Sequence, residues 1–293
     1  QSQSAVVEPL AELLCIAPET LCMISENTGG GFGSKGRSYP TMAITGRFSQ
    51  LLNRPVQLRI TREEEYYLGV GRPGMQGWVK TGIRADGTVA AVDVIIISDG
   101  GPTGRNSASS SAQHISVVYT PTAMRLRNIP VFTNTTPRGA QRGPGQNEMS
   151  AAIAPIMDNA ARQLGMDRAT FRRVNAPHSE SSVYENQGPV TSAFMAEAID
   201  KASTMFNWAE RDAAPRQRSG SKVRGLGIGL GYHSAGGNGY DGLVRITPDG
   251  SIYLHSGVGN LGTYSYAGTA RAAAEALQCR WESCIIERGN TDS

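Results

Sequence analysis

Thr28-Gly29-Gly30-Gly31-Phe32-Gly33-Ser34-Lys35-Gly36 is the stretch on which the reading of this chain turns. Glycine reaches positive φ at no steric cost, and without a Cβ it lets backbone amides press against a bound group. Phe32 is one bulky ring in a surface otherwise stripped of large side chains. Before the loop, Leu21-Cys22-Met23-Ile24 is apolar and predicts a strand; after it, Thr41–Leu52 predicts a helix. A strand, a glycine loop and a helix N-terminus together suit an anionic cofactor, because the first N–H groups of a helix have no partners within it.

Several readings compete for this loop. Gly31–Gly36 fits the G-x-G-x-x-G dinucleotide pattern, and Glu63 lies at the end of the next strand-like run, Val56–Thr61. That turn needs its first glycine directly at the strand end, whereas Ser25-Glu26-Asn27-Thr28 intervene. A phosphate P-loop fails because no Gly-Lys-Ser/Thr follows at the required spacing. Taken alone, the segment is equally compatible with a glycine-rich surface loop.

Three segments taken together are more specific. Gly29-Gly30-Gly31-Phe32-Gly33-Ser34-Lys35 resembles the GGGFGGK segment of the large molybdopterin-binding subunit in the xanthine oxidase/aldehyde oxidase family. Arg142-Gly143-Pro144-Gly145, followed by the helical run Met149–Leu164, resembles that family's RGFGG or RAPG loop and its helix. Met157-Asp158-Asn159-Ala160-Ala161 falls at its M-D-E-x-A pattern, and Leu164–Asp167 with Phe171–Asn175 resembles LGxDPxxxRxxN. Gly257-Val258-Gly259-Asn260-Leu261-Gly262-Thr263 resembles the GxxExGQG loop. The motifs occur in the family's order and cover nearly the whole chain.

The resemblance implies an α+β fold of the molybdopterin-binding-domain type, with mixed β-sheets, packed helices and two parts of similar size. The first domain is placed at 1–177 and the start of a second, truncated one at 178–293, divided within the polar, proline-punctuated segment Asn175–Val190. The implied cofactor is a molybdenum–pyranopterin, in mononucleotide or dinucleotide form, held by Gly31, Phe32, Gly33, Arg142, Leu261, Gly262 and Thr263. Gly36 and Pro144 fall at the substrate pocket. Members of the family hydroxylate an aldehyde or a carbon beside nitrogen, with water as oxygen source, and pass electrons to [2Fe–2S] clusters. The implied partners are an iron–sulfur subunit or domain, a flavin (FAD) or haem-carrying cytochrome subunit, the remainder of the large subunit, and a small-molecule substrate. The family's catalytic base is a glutamate near the large subunit's C-terminus, in a region outside this chain. No catalytic residue and no metal-ligating side chain is therefore assigned here, and the fragment is not expected to turn over alone.

Departures from the family pattern bear on substrate. Purine-oxidising members carry a glutamate four residues after the loop phenylalanine, where this chain has Gly36. The phenylalanine two residues after the loop arginine is Pro144, and the usual glutamine of the third loop is Thr263. These changes argue against a purine and for an aldehyde or a nitrogen heterocycle without purine-like polar edges.

Composition sets outer bounds. The 293 residues suggest one large or two ordinary domains, 39% are hydrophobic, and 35 glycines point to many tight turns. A net charge of +3 makes no electrostatic case for nucleic acid or membrane. No apolar run approaches the roughly 18 residues of a membrane span, and no secretory signal is visible, which leaves cytoplasm and periplasm both open. Gln1-Ser2-Gln3-Ser4 and Glu287–Ser293 read as cuts through a longer polypeptide. Cys15, Cys22, Cys279 and Cys284 form no CxxC and lie in apolar contexts, which predicts buried, inert thiols. Among the scattered histidines, His255 alternates with Ile252 and Leu254 as a structural strand residue, and no Ser/His/Asp arrangement is supported.

The remaining pattern predicts helices at Val6–Leu14, Gln146–Leu164 with a kink at Pro155, Asp167–Val174 capped by Asp167, Ser192–Trp208 and Ser265–Leu277. Strands are expected at Val56–Thr61, Trp78–Ile83, Val89–Ser98, Ile129–Thr133 and Val223–Leu230, with Val92–Ile97 buried on both faces. Gly100–Ala112 reads as a long loop. Hairpins around Asp86-Gly87 and Asp249-Gly250 echo one another and suggest two halves of similar build. The loops at Phe32-Gly33, Arg142 and Leu261-Gly262-Thr263 are expected to converge on one cleft. Two rivals are a nicotinamide-dependent dehydrogenase built on Gly31–Gly36, which requires a doubly wound parallel sheet, and a non-catalytic assembly module.

Overall fold

A computed structural model describes residues 3–104, 107–214, 218–233, 242–256 and 265–291. The helices are α1 (Ser4–Leu14), α2 (Pro40–Leu52), α3 (Arg62–Leu68), α4 (Ala108–Val118), α5 (Gln146–Gln163), α6 (Arg168–Val174), α7 (Met195–Phe206), α8 (Trp208–Ala213) and α9 (Ser265–Ala276). The strands are β1 (Met75–Ile83), β2 (Val89–Asp99), β3 (Ala123–Val131), β4 (Arg218–Ser219), β5 (Lys222–Val223), β6 (Gly242–Ile246), β7 (Ile252–Ser256) and β8 (Cys284–Arg288). The chain divides into two compact units with interleaved segments. One comprises Gln1–Arg72, Thr135–Arg142 and Ala235–Ser293; the other comprises Pro73–Asn134 and Gly143–Ser234.

In the second of these units, β1 and β2 form an antiparallel hairpin running from Met75↔Ser98 to Ile83↔Val89. Its turn is built by Asp86 and Gly87: the Asp86 carboxylate accepts the Thr88 amide at 2.9 Å, and Gly87 takes φ +87°. After α4 the chain returns as β3, parallel to β2 from Ala91↔Ala123 to Asp99↔Val131. Val92, Val94, Ile96 and Ser98 are buried, whereas Ile95 and Ile97 are half-buried. One face of β2 is therefore the core face, and the expectation of two buried faces is corrected.

Helix α5 covers that core. Met149, Ile153, Met157 and Ala161 recur every fourth residue, which keeps them on one stripe of a helix, and all are at most 3% exposed. They cluster with Ile115, Val118 and Tyr119 from α4 and its end, and with Phe171 of α6. The run from 108 is thus a helix and not part of a long loop. Its serines mask an inward stripe of Ala112, Ile115 and Val118, each fully buried. Helix α5 continues unbroken through Pro155. His114 of α4 is also buried, and burial alone pulls its imidazole down to about 4.

Polar groups tie α6 to this core. The Asp167 carboxylate caps α6 by accepting the Thr170 amide at 2.7 Å, and it also accepts the Trp208 indole N–H at 2.7 Å. The fully buried Arg172 guanidinium lies 2.6 Å from Asp158 on α5. Asn175 has no slack: its amide donates to the Gly87 and Phe171 carbonyls at 2.9 and 2.8 Å and accepts the Val89 amide at 2.8 Å. Ala169, Ala176, Ile199 and Trp208 form a second cluster, joined by Leu226, Ile228 and Leu230. These last three are inward-facing residues of an extended segment. Only Lys222–Val223 belongs to a strand, paired with Arg218–Ser219, so the expected strand through 230 is not formed.

The first unit repeats part of this plan. Strands β6 and β7 pair antiparallel from Gly242↔Ser256 to Ile246↔Ile252, α9 follows, and β8 returns parallel to β7. The Asp249 carboxylate accepts the Ser251 amide at 3.1 Å and Gly250 takes φ +84°, the same device as at Asp86-Gly87. Ile252, Leu254 and Ala270 form its core. Val6, Leu10 and Leu14 of α1 form another, with Leu21, Met23 and Ala43 packed on it.

Three expectations fail in this unit. Leu21–Ile24 forms no strand but a single bridge, Ile24↔Asn290. Val56–Thr61 is extended but joins no sheet among the described residues, leaving Leu58 50% exposed. Without the strands flanking the glycine loop, and with only three-stranded mixed and two-stranded sheets described, the dinucleotide reading loses its framework. The thiols also differ from expectation: Cys15 and Cys22 are exposed, and Cys279 and Cys284 are half-buried. Cys15 takes the left-handed cap of α1, which turns its side chain out of the apolar stripe. No described helix is long and apolar enough to cross a membrane.

Removing the Asn175 amide strands the Val89 N–H and two carbonyls in the core. Asn175→Ala is expected to lower stability by about 3 kcal/mol, since each unmade buried hydrogen bond costs about 1–3 kcal/mol. Urea unfolding of both proteins checks this, and a loss below about 1 kcal/mol contradicts the role.

Candidate functional site

The glycine loop is built from left-handed backbone. Gly30 (φ +85°), Phe32 (φ +53°) and Gly33 (φ +103°) all have positive φ. The Ser34 amide donates to the Gly31 carbonyl at 3.0 Å and the Gly36 amide to the Gly33 carbonyl at 3.3 Å, so the loop closes two successive tight turns. Gly30 and Gly31 are buried, while the Phe32 ring is 56% exposed. A phenylalanine in this conformation is uncommon, and backbone strain of this kind concentrates at ligand sites. On the other side of the loop, the Tyr39 hydroxyl donates to the Ser34 carbonyl. Burial pushes the Tyr39 hydroxyl's pKa up against the opposing pull of Arg37.

The segment Thr135–Arg142 lies against this loop. The Arg142 amide donates to the Phe32 carbonyl at 2.7 Å. A Cβ on Gly33 would sit 2.7 Å from the Ala140 carbonyl oxygen, closer than real Cβ contacts come. The segment is held in turn by residues 70–72. The Gly71 amide donates to the Pro137 carbonyl at 2.8 Å and the Gly139 amide to the Gly71 carbonyl at 3.1 Å. The Gln141 side chain donates to the Val70 carbonyl at 2.7 Å, and the Arg72 guanidinium to the Arg142 carbonyl at 2.6 Å. Arg142 is exposed, and Arg138, earlier in the same segment, runs along Gly71.

Phe32, Gly33 and Arg142 are thus brought together across more than a hundred residues of chain. Leu261, Gly262 and Thr263 lie outside the described residues. Gly36 sits at the end of the glycine loop. Pro144 belongs to the second unit, between Gly143 (φ +70°) and Gly145 (φ +84°) at the start of α5. A Cβ on Gly145 would meet the Ser107 carbonyl at 2.3 Å, and the Glu148 carboxylate accepts the Gly145 amide at 2.8 Å. Ala140, Gln141 and Arg72 also shape the site, though nothing in the sequence singled them out. Gln146, 5% exposed with an unpartnered Oε1, is a further buried polar group at this turn that the motif reading passed over.

Chemically, the paired segments offer glycine backbone, the exposed Phe32 ring and the exposed Arg142 side chain. No group of three His, Cys, Asp or Glu side chains that could hold a metal ion occurs among the described residues. Such a surface is suited to binding a polar, planar, anionic group through backbone and charge-assisted contacts.

Comparison with known proteins gives the following. Residues 1–176 match one model described as a molybdopterin cofactor-binding domain, and residues 201–293 match a second with the same description. A probable hypoxanthine oxidase of Escherichia coli K12 is 25% identical over 300 residues, covering 97% of this chain and 31% of that protein. A probable xanthine dehydrogenase subunit of Bacillus subtilis is 28% identical over 292 residues, 96% of this chain and 38% of the relative. The structure of the aldehyde oxidoreductase from Desulfovibrio gigas aligns with a TM-score of 0.84 at 25% identity, over 95% of this chain and 31% of that one. The chain therefore spans about a third of the length of the relatives it matches.

If Gly33 is what lets the two segments meet, Gly33→Ala should part them. We expect a loss of about 2 kcal/mol from strain at positive φ, with faster hydrogen exchange at the Arg142 amide. Gly29→Ala, where a Cβ meets nothing within 4 Å, is the control and should leave both unchanged. Equal behaviour of the two variants contradicts the packing argument.

Proposed function

Because the chain belongs to the family of molybdopterin cofactor-binding domains, we propose that it is the cofactor-holding part of a molybdenum-dependent oxidoreductase, with Gly31, Phe32, Gly33 and Arg142 on the pterin. The observation that carries this is the 2.7 Å hydrogen bond from the Arg142 amide to the Phe32 carbonyl, which joins two of the three motif loops. The residues fit such a group. The missing Cβ at Gly33 leaves its place to the Ala140 carbonyl, which sets the Arg142 segment beside the glycine loop, and the Arg142 guanidinium meets a phosphate or dithiolene charge. Leu261, Gly262 and Thr263 complete the cradle in this proposal. When bound, the cofactor supplies the redox-active metal; the chain binds it, orients it and shields it from water.

The domain division that goes with this reading is 1–177 and 178–293, supported by the matched ranges 1–176 and 201–293. The proposed reaction is oxidation of an aldehyde or nitrogen heterocycle with water as the oxygen source, and electrons leave to iron–sulfur clusters of a partner, with FAD or haem beyond. The names of the relatives include both purine and aldehyde oxidoreductases. What favours the aldehyde side is the chain itself. Gly36 and Pro144 present no hydrogen-bonding side chain, and a site discriminates strongly only by polar groups it can pair.

Two measurements on the full-length enzyme test these statements. Arg142→Ala should lower molybdenum occupancy or activity about 10- to 150-fold, the equivalent of a charge-assisted contact of about 1.5–3 kcal/mol, with little change in Tm. Arg138→Ala should leave occupancy and activity near normal. A fully metallated, active Arg142→Ala protein contradicts the assignment, and a selectively dead Arg138→Ala protein moves the role to Arg138. In a substrate panel, aldehydes or apolar nitrogen heterocycles should turn over and xanthine should not. Xanthine turnover matching the best aldehyde rules out the substrate reading.

A further inference from the structure

Cys279 and Cys284 both lie in the first unit, with only Arg280–Ser283 between them. The chain leaves α9 through Gln278 in the left-handed conformation (φ +53°), and the Cys279 amide donates back to the Ala274 carbonyl at 2.9 Å. A short helical turn, Trp281–Ser283, then reverses the chain, with the Ser283 amide on the Arg280 carbonyl at 3.0 Å. Cys284 opens β8 in register with Ile252 of β7. Both cysteine side chains pack on the cluster of Ile252, Leu254 and Ala270. Burial, and then the neighbouring Cys279 through charge and a hydrogen bond, push the pKa of the Cys284 thiol up, so the two sulfurs lie side by side.

We propose that Cys279 and Cys284 are a reversible dithiol–disulfide site, oxidised by a low-molecular-weight disulfide such as oxidised glutathione. A disulfide needs two backbones that are already close, and here the end of α9 and the start of β8 hold them so. The thiols are half-buried, and every residue of the turn between them is exposed, which leaves a way in from solvent. The reaction is two successive exchanges. One cysteine, as thiolate, attacks the S–S bond of oxidised glutathione. That bond breaks, a mixed disulfide forms, and one glutathione leaves as thiolate and takes up a proton. The other cysteine gives its proton to solvent and attacks the protein sulfur of the mixed disulfide, and the second glutathione leaves in the same way. Two protein thiols are oxidised and one glutathione disulfide is reduced. Cys22 is placed differently: its thiol donates to the Asn290 Oδ1 at 3.4 Å. The new bond closes the 280–283 turn and ties α9 to β8. Strand β8 runs on to Gly289, whose carbonyl accepts the Ser25 amide at 2.7 Å ahead of the glycine loop. The site does not depend on the cofactor assignment.

The test equilibrates the full-length enzyme with reduced and oxidised glutathione, then alkylates free thiols and digests with trypsin without reduction. Cleavage after Arg271, Arg280 and Arg288 separates the two cysteines, so the disulfide is read by mass as Ala272–Arg280 joined to Trp281–Arg288. A synthetic peptide, Ala272–Arg288, is the reference, with the same spacing and no fold. The joined pair should form with an equilibrium constant at least about tenfold larger in the enzyme than in the peptide, and dithiothreitol should dissolve it. Hydrogen exchange at the Ser283 amide should slow on oxidation in the native enzyme and not in Cys279→Ser; Cys284→Ser repeats that comparison should Cys279→Ser fail to fold. Both cysteines recovered alkylated, either joined instead to glutathione or to another cysteine, a pair no more readily oxidised than in the peptide, or slowing that persists in the variants each overturn the proposal.

Discussion

One contact sets the character of the first unit: the Arg142 amide on the Phe32 carbonyl, with the Ala140 carbonyl where a Cβ of Gly33 would be. It exists only because residue 33 has no side chain and adopts φ +103°. Everything around it serves to hold the two segments in place. Val70 to Arg72 grip Pro137 to Arg142 from one side through backbone and side-chain hydrogen bonds. Tyr39 braces Ser34 from the other. The result is an exposed aromatic ring and an exposed guanidinium on a backbone that is already in its strained conformation. Preorganisation of this kind spares a ligand the cost of ordering the loop on binding.

A second theme is repetition. Each unit contains a hairpin closed by Asp-Gly, then a helix, then a strand parallel to the second of the pair. The shared turn is physical and not only topological. In both, the aspartate carboxylate accepts the amide two residues on, and the glycine supplies a φ that other residues resist. In the second unit the turn is further tied down by Asn175, which connects it to the end of α6 and so to the Arg172–Asp158 pair beneath α5. The long core helix, the ion pair and the turn thus form one connected framework behind the Gly143–Gly145 turn.

Much of this was legible from local chemistry. The four-residue spacing of Met149, Ile153, Met157 and Ala161 announces α5, Asp167 announces its cap, and Asp86-Gly87 and Asp249-Gly250 announce their hairpins. Expectations failed where the deciding partner is distant. Val56–Thr61 alternates as a strand should, but alternation cannot show whether another strand lies beside it. The parallel return of β3 is set by β2, across α4, and its sequence Ala123–Val131 carries two arginines and an asparagine that mask it. Serines hid α4 because their weak helix preference is overridden by three buried apolar residues. At the site, the glycines and Arg142 were visible as motif residues. Arg72 and Gln141 were not, since they act only through backbone carbonyls that folding brings near.

The central claim is that Phe32-Gly33 and Arg142 act as one binding surface for a molybdopterin. A crystal structure of the molybdenum-loaded protein tests it most directly. The account predicts the pterin against the Gly31–Gly33 backbone, with the Arg142 guanidinium on an anionic group of the cofactor and the Arg142–Phe32 hydrogen bond intact. A pterin bound without contact to either segment, or a loop that has let go of Arg142 to admit it, would contradict the account.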